Sequence, residues 1–245
     1  GNDIGIDGDV IVIEDNIIGL SKDQKQAMPN GTGIISGKYV ATKKIINNVI
    51  AGNINNGVSY NGHTFPEFTN NYVGTNRYLD INPSLGNGEN GLYVGSDIVN
   101  CNFSNNHFMN NGGAGLYATV VRGTIENCSF INNKKEGVRV TWSFSGVFKK
   151  CNFEGNEKEG LYSDASGSTY VVDSCDFSRN GTYGLYMSQC NFDLTNSTFD
   201  SNKGTAFVYD ITKYNNTTSL LSDNKFLRTN KAYPAYSTTN PYPAP

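Results

Sequence analysis

"NCSFINN", Asn127 to Asn133, is preceded by "NCNFSNN" from Asn100 and followed by "KCNFEGN" from Lys150 and "SCDFSRN" from Ser174. Cys-x-Phe, with an Asn or its like three residues after the Phe, thus returns at nearly equal intervals. Such a motif is either chemistry, with the cysteines as metal ligands, disulfide halves or catalytic thiols, or it is the wall of a repetitive fold. Internal periodicity separates the two, because it fixes the architecture before any secondary structure is assigned.

With the Phe as reference, Phe103, Phe130, Phe153, Phe177, Phe199 and Phe226 fall in line at spacings of 27, 23, 24, 22 and 27 residues. Val73 and Ile50 extend the series towards the N-terminus. The Asn three residues on is Asn53, Asn76, Asn106, Asn133, Asn156, Asn180 or Asn202. A second element follows each, as "NGVSY", "NGLYV", "AGLYA", "EGVRV", "EGLYS" and "YGLYM", with "GTAFVY" from Gly204 as a degenerate copy. An apolar residue stands five places before each reference site, from Phe68 through Ile98, Ile125, Phe148, Val172 and Leu194 to Leu221.

Each unit therefore holds three short apolar runs between Gly/Asn turns. A helical repeat needs the 3.6-residue apolar period over ten or more residues, and no such run exists. Leucine-rich repeats have similar length but need several Leu per unit, and the markers here are aromatic. The spacing predicts an all-β chain, a right-handed single-stranded parallel β-helix of about 8–9 coils with three short strands per coil. Like residues then stack into an interior Phe ladder and an Asn ladder. The Asn ladder is expected in a tight turn, where Asn tolerates left-handed backbone and its amide bonds to the next coil. The Gly before "LY" is expected to permit a sharp start to the following strand.

Residues 1–30 hold one clear strand, "GDVIVIED", and are expected to form the first coil or a cap over the core. Residues 31–230 make the β-helix, and 231–245, "KAYPAYSTTNPYPAP", read as an extended arm or linker. The balance of 17% charged residues with many Asn, Gly, Ser and Thr, plus 15 Tyr and 13 Phe, suits β-structure with tight turns and not a helical bundle. A formal charge of −3 gives no reason to expect a nucleic-acid partner. No stretch approaches the ~20 apolar residues of a membrane span, and the opening "GNDIGIDGDV" lacks the basic and apolar regions of a signal peptide.

"NCNFSNN…GLY" resembles the parallel β-helix repeat of pectate-lyase-like proteins, a superfamily that includes pectinases, mannuronan epimerases and phage tailspikes. The resemblance covers roughly residues 33 to 230. It implies an extracellular or cell-surface protein, monomeric or homotrimeric, whose partner is a polysaccharide or surface glycan. It implies no particular activity, since such scaffolds host many functions. The Asp-Pro-His motif of mannuronan epimerases is absent, as are the Asn-Thr-Asp strand, Asp-Asp pair and Gly-His-Gly turn of polygalacturonases. Pectate lyases combine a calcium-binding Asp cluster with a catalytic Arg; only Arg139 matches, with no Asp cluster around it.

Cys101, Cys128, Cys151 and Cys175 share one ladder position, two residues before the Phe, where Asn48, Asn71, Ser197 and Asn224 stand in other coils. No Cys-x-x-Cys pair and no His at zinc spacing accompanies them, so they read as small buried wall residues, with no metal and no cofactor called for. Asp3, Asp7 and Asp9 suggest a calcium loop only faintly, because the EF-hand spacing is missing.

Function is expected on the outer face of the "GLY" strand. If Leu92, Leu116 and their equivalents point inward, strand alternation turns Tyr93, Tyr117, Arg139, Tyr162 and Tyr186 outward, with Phe207 continuing the row and Trp142 at the loop edge. Such a row stacks on sugar rings, or on itself to stabilise the sheet. Two polar coils, "KKEGVRVTW" and "EKEGLYSDA", put Glu136 beside Glu159 and Thr141 beside Asp164. Glu136, Arg139, Glu159 and Asp164 are then candidates for general acid/base work on an acidic polysaccharide, unless Lys134, Lys135 and Lys158 simply neutralise the carboxylates. The insertion "RYLDINPSLGNGE" after Asn76 is expected near the Tyr row, as a wall of a groove or as a tolerated surface loop. Two functions follow: a β-helix that binds, and by extension cleaves or epimerises, a polysaccharide, or a non-catalytic spacer module.

Overall fold

The computed structural model describes residues 1–8, 10–37, 42–62, 65–164, 169–188, 190–210, 220–228 and 235–236. The described strands pair in parallel and stack coil on coil into a β-solenoid of two sheets. A nine-stranded sheet runs from Ile17–Ile18 through His107–Met109, Ser129–Ile131, Asn152–Glu154 and Asp176–Ser178 to Lys225–Leu227. A sixteen-stranded sheet folds around the other two sides of the coil. Three of its strands, Leu92–Ser104, Leu116–Glu126 and Val138–Lys149, run through both sides without a break. Three short strands per coil hold elsewhere. In these coils the corner is rounded by register shifts, as between Val94 and Asp97 and between Ala118 and Val120, so no turn interrupts the strand.

The register corrects one coil of the sequence alignment. The aromatic column of the nine-stranded sheet reads Val73, Phe108, Phe130, Phe153, Phe177, Phe199 and Phe226, so Phe108 and not Phe103 occupies the reference site. Phe103 pairs with Phe68 and Ile125 and belongs to the column five residues upstream, displacing Ile98, which pairs with Val121. Within the column, neighbouring rings lie 5.1, 5.2, 4.6 and 4.8 Å apart from Phe108 to Phe199, with interplanar angles of 12° or less. Each of these fully buried rings contributes roughly 1.5–3 kcal/mol of apolar burial, and the offset stack adds aromatic contact to it.

Two polar ladders hold the corners. At the first, the Nδ2 of each Asn donates to the Oδ1 of the next along Asn30, Asn53, Asn87, Asn111, Asn133, Asn156, Asn180 and Asn202. Asn87 and Asn111 take the places expected for Asn76 and Asn106. Asn76 bonds instead to Asp80 within the insertion, 2.8 Å away. The second amide proton of Asn133 goes to the Phe108 carbonyl, and the backbone N–H of Asn133 shares the Asn156 Oδ1, so this buried side chain is satisfied throughout. The left-handed residue is the one before the ladder Asn, for example Asn132 at φ 54° and Arg179 at φ 56°. The side chain that bonds and the backbone that turns are therefore adjacent residues.

At the second corner, Asn16, Asn48, Asn71 and Asn106 form a like ladder, which Cys128, Cys151 and Cys175 then continue. The thiols donate to backbone carbonyls, Cys128 to Glu126 at 3.3 Å and Cys175 to Asp173 at 3.4 Å. All three are free and buried, and burial pushes the thiols of Cys128 and Cys175 well up. Cys101 falls off this ladder, because the shift of register puts Asn106 in its place. Glycine in the "GLY" strand answers to close approach: a Cβ on Gly137 would sit 2.5 Å from the Gly160 carbonyl oxygen.

Residues 4–18 contribute a strand to each side of the coil, through Ile4–Asp7, Val12–Glu14 and Ile17–Ile18. Of the C-terminal arm, Ala235 and Tyr236 pair with Val208 and Tyr209, and the other residues from 231 to 245 lie outside the described residues. The insertion does not flank the Tyr row. It packs Leu85 with Leu20, Val49 and Ala51, Arg77 stands over the Tyr72 ring at 5.6 Å, and the Leu85 carbonyl takes the Gly52 N–H. It covers the outer face of the nine-stranded sheet, where apolar Val49 and Ala51 need burying.

Candidate functional site

The Leu-Tyr column builds the site. Leu92, Leu116, Val138, Leu161 and Leu185 are in register and fully buried, and alternation sets Tyr93, Tyr117, Arg139, Tyr162 and Tyr186 outward, also in register and half-buried. Phe207 is corrected: it pairs with Leu185 in the inward column and is 2% exposed, while Val208 pairs with Tyr186 and continues the row. The signal was in the sequence, since Ala206 and not Gly204 fills the glycine position, its carbonyl oxygen lying against Gly184.

The rings of the row stack on each other. Tyr93 and Tyr117 have centroids 5.4 Å apart at 18°, and Tyr162 and Tyr186 are 4.8 Å apart at 7°. The Arg139 guanidinium lies over Tyr162 at 4.6 Å, joining the row as a cation–π step. Ring faces are thus turned towards neighbouring coils, and what the row offers outward is ring edges and phenol hydroxyls.

Glu136 explains the position of Arg139. Its carboxylate is buried, and it takes the Arg139 guanidinium at 2.9 Å and the Lys158 ammonium at 3.5 Å. Burial is the largest single influence and works against the Arg139 cation, but the Glu136 charge and hydrogen bond, with Tyr162 and Asp164 behind them, together leave the guanidinium pKa raised. Glu136 and Glu159 do occupy successive coils, since Gly115 N–H bonds the Glu136 carbonyl and Gly137 N–H the Glu159 carbonyl. Lys134 pairs with Glu157 and not with either of them. Sequence reading left Lys158 as one of three neutralising lysines; only the fold selects it.

Asp164 follows the row on the other side. Its N–H reaches the Val140 carbonyl at 3.4 Å, and the Tyr162 hydroxyl donates to its carboxylate at 3.5 Å. Burial, then the Asp164 charge, push the Tyr162 phenol up to about 12. Trp142 is not at a loop edge. It stands within the strand Val138–Lys149, where two residues, Thr141 and Trp142, lie opposite the lone Thr119, and this bulge leaves the indole 74% exposed. No ring stacks on it among the described residues.

Among the described residues, no three His, Cys, Asp or Glu side chains gather to hold a metal ion; Asp9 of the faint calcium loop lies outside them. Among the same residues, no helix is long and apolar enough to cross a membrane. A family model described as "Right handed beta helix region" matches residues 90–241, more than half of the chain. The chain belongs to that right-handed β-helix family. No curated protein and no solved structure matches it.

Proposed function

We propose that the chain is an extracellular or cell-surface glycan-binding β-helix, its sugar chain held along the Tyr93–Tyr186 row. The observation that carries this reading is Trp142, an indole with a solvent-facing ring, on which no ring among the described residues stacks and which a strand bulge holds out beside the row. An exposed indole presents a large, rigid apolar face with a polar N–H at its edge, the kind of surface that a partner can cover. Sugars suit the task, because their C–H faces stack on an indole and their hydroxyls exchange hydrogen bonds with phenols. The coil spacing of about 4.8 Å is close to the length of one sugar residue, so successive Tyr hydroxyls meet successive sugars.

Within this reading Glu136 and Arg139 hold the row in place, and Glu159 and Asp164 are the carboxylates left to face a bound sugar. Glycan-array binding by the wild-type chain, lost in Trp142→Ala and in Tyr117→Ala, is the expected result. Cleavage or epimerisation is tested on the same glycans: full turnover retained in both Glu159→Gln and Asp164→Asn removes these carboxylates from catalysis. A second reading, a rigid spacer, is favoured by the self-stacked ring faces, which stabilise the sheet without any ligand. A chain that binds no glycan and runs as a stable trimer in light scattering supports the spacer instead.

A further inference from the structure

We infer that the ligand of the Tyr93–Tyr186 row is an uncharged glycan and not a polyuronate. This rests on the glycan-binding reading above and adds the charge class of the sugar.

A polyuronate carries a carboxylate on every sugar, and along the row each one is favoured by a nearby cation or bridging metal and opposed by a nearby protein carboxylate. From Tyr93 to Tyr186 the row contains one cation, Arg139, and that cation is already committed. Its guanidinium is bonded to buried Glu136 at 2.9 Å and lies over the Tyr162 ring at 4.6 Å. Lys158, a second cation beside Arg139, turns to the same carboxylate at 3.5 Å. Lys135 stays exposed in the turn before Glu136 and is not part of the row. On the other side stands Asp164, which takes the Tyr162 hydroxyl, and half-buried Glu159 follows Glu136 in the next coil. A uronate therefore meets like charge at Glu159 and Asp164 and finds no free guanidinium. Among the described residues, no acidic cluster offers a metal bridge in its place.

An uncharged sugar meets none of these penalties. Its hydroxyls donate to and accept from the phenols; at Tyr162, burial and then the Asp164 charge raise the pKa to about 12 and keep that phenol a donor. The same carboxylate becomes an asset, since it accepts a sugar hydroxyl in a charge-assisted bond. Specificity thus comes partly from repulsion of the wrong ligand, the usual way a site separates molecules of one shape and different charge.

The test is calorimetric titration of the whole chain with cello-, manno- and laminarihexaose on one side and hexagalacturonate and hexamannuronate on the other. At least one neutral hexasaccharide is expected to bind, with an affinity that changes less than about twofold between low and high salt, as an uncharged ligand is not screened. Tyr162→Ala is expected to weaken that binding about tenfold or more, and the uronates are expected to stay silent. In Glu159→Gln/Asp164→Asn, uronate binding is expected to appear. The inference is overturned if the wild-type chain prefers a uronate and loses it with rising salt; the glycan-binding reading then stands. If neither class binds, both fall.

Discussion

Two aromatic ladders run along this molecule with the same coil repeat, one inside and one outside. The Phe column from Phe108 to Phe226 is chemically uniform and buried over most of its length, whereas the Tyr row is half-buried and interrupted by Arg139. Ring spacings hardly differ, 4.6–5.2 Å inside from Phe108 to Phe199 against 4.8 and 5.4 Å outside. Stacking geometry is therefore set by the coil and not by the environment. What the environment changes is the energy at stake and the tolerance for a charge. Inside, nothing but apolar surface fits; outside, a guanidinium fits because the Glu136 carboxylate, which Lys158 also reaches, balances its charge.

The comparison is broken most severely by Phe153→Ala, which leaves a cavity between Phe130 and Phe177. A loss of about 3–5 kcal/mol is expected from equilibrium urea unfolding. The equivalent cut outside, Tyr186→Ala, is expected to cost less than about 1 kcal/mol, because the ring is half-exposed and its site refills with water. Equal losses at the two positions would mean that the outer row is as structural as the inner one and would favour the spacer reading.

The ion cluster sharpens the contrast, because its two halves are buried unequally. The Glu136 side chain is 2% exposed and that of Arg139 30%. Arg139→Met strands a buried carboxylate with only Lys158 beside it, and about 3 kcal/mol of stability is expected to go. Glu136→Gln strands a guanidinium that water can reach, so a smaller loss of about 1 kcal/mol is expected. Thermal and urea unfolding of the two variants check the order; the reverse order would show that the guanidinium, and not the carboxylate, is the costly group to leave alone.

Much of this was legible in the sequence, and the errors have physical causes. From Ile125 to Leu194 the repeat is regular and the columns read correctly; in the degenerate copy "GTAFVY" the phase slips by one residue, which put Phe207 in the outward row where Val208 stands. Between Asn100 and Asn111 the chain carries two Asn-rich Phe motifs five residues apart, "NCNFSNN" and "NNHFMNN". Five residues is also the offset between two interior columns, so Phe103 and Phe108 both look like reference sites. Cys101 tipped the alignment towards the first. The hydrogen bonds decide for the second, since Asn106 bonds Asn71 and Cys128 while Asn111 bonds Asn87 and Asn133. The Tyr row was legible from alternation alone. The commitment of Arg139 to Glu136 and the exposure of Trp142 were not, because both depend on a turn and a bulge that no periodicity encodes.

The smallest expected effect concerns His107, which replaces an aromatic partner on the outer face of the nine-stranded sheet. Its ring stacks on Tyr72 at 5.2 Å, and its Nδ1 lies 2.7 Å from the Ser129 hydroxyl. Burial holds its imidazole pKa below the ordinary value, so the folded chain prefers the neutral ring. The unfolded chain then binds the proton more readily, starting near its usual pKa of about 6.5. Above that pH the contribution of His107 is fully present, and it is lost as pH falls from there through the lowered folded value. The urea midpoint of the wild-type chain is expected to drop more between pH 7 and pH 5 than that of His107→Gln, all other groups titrating alike. Parallel curves for the two proteins would place the charged ring in water and out of the Tyr72 stack.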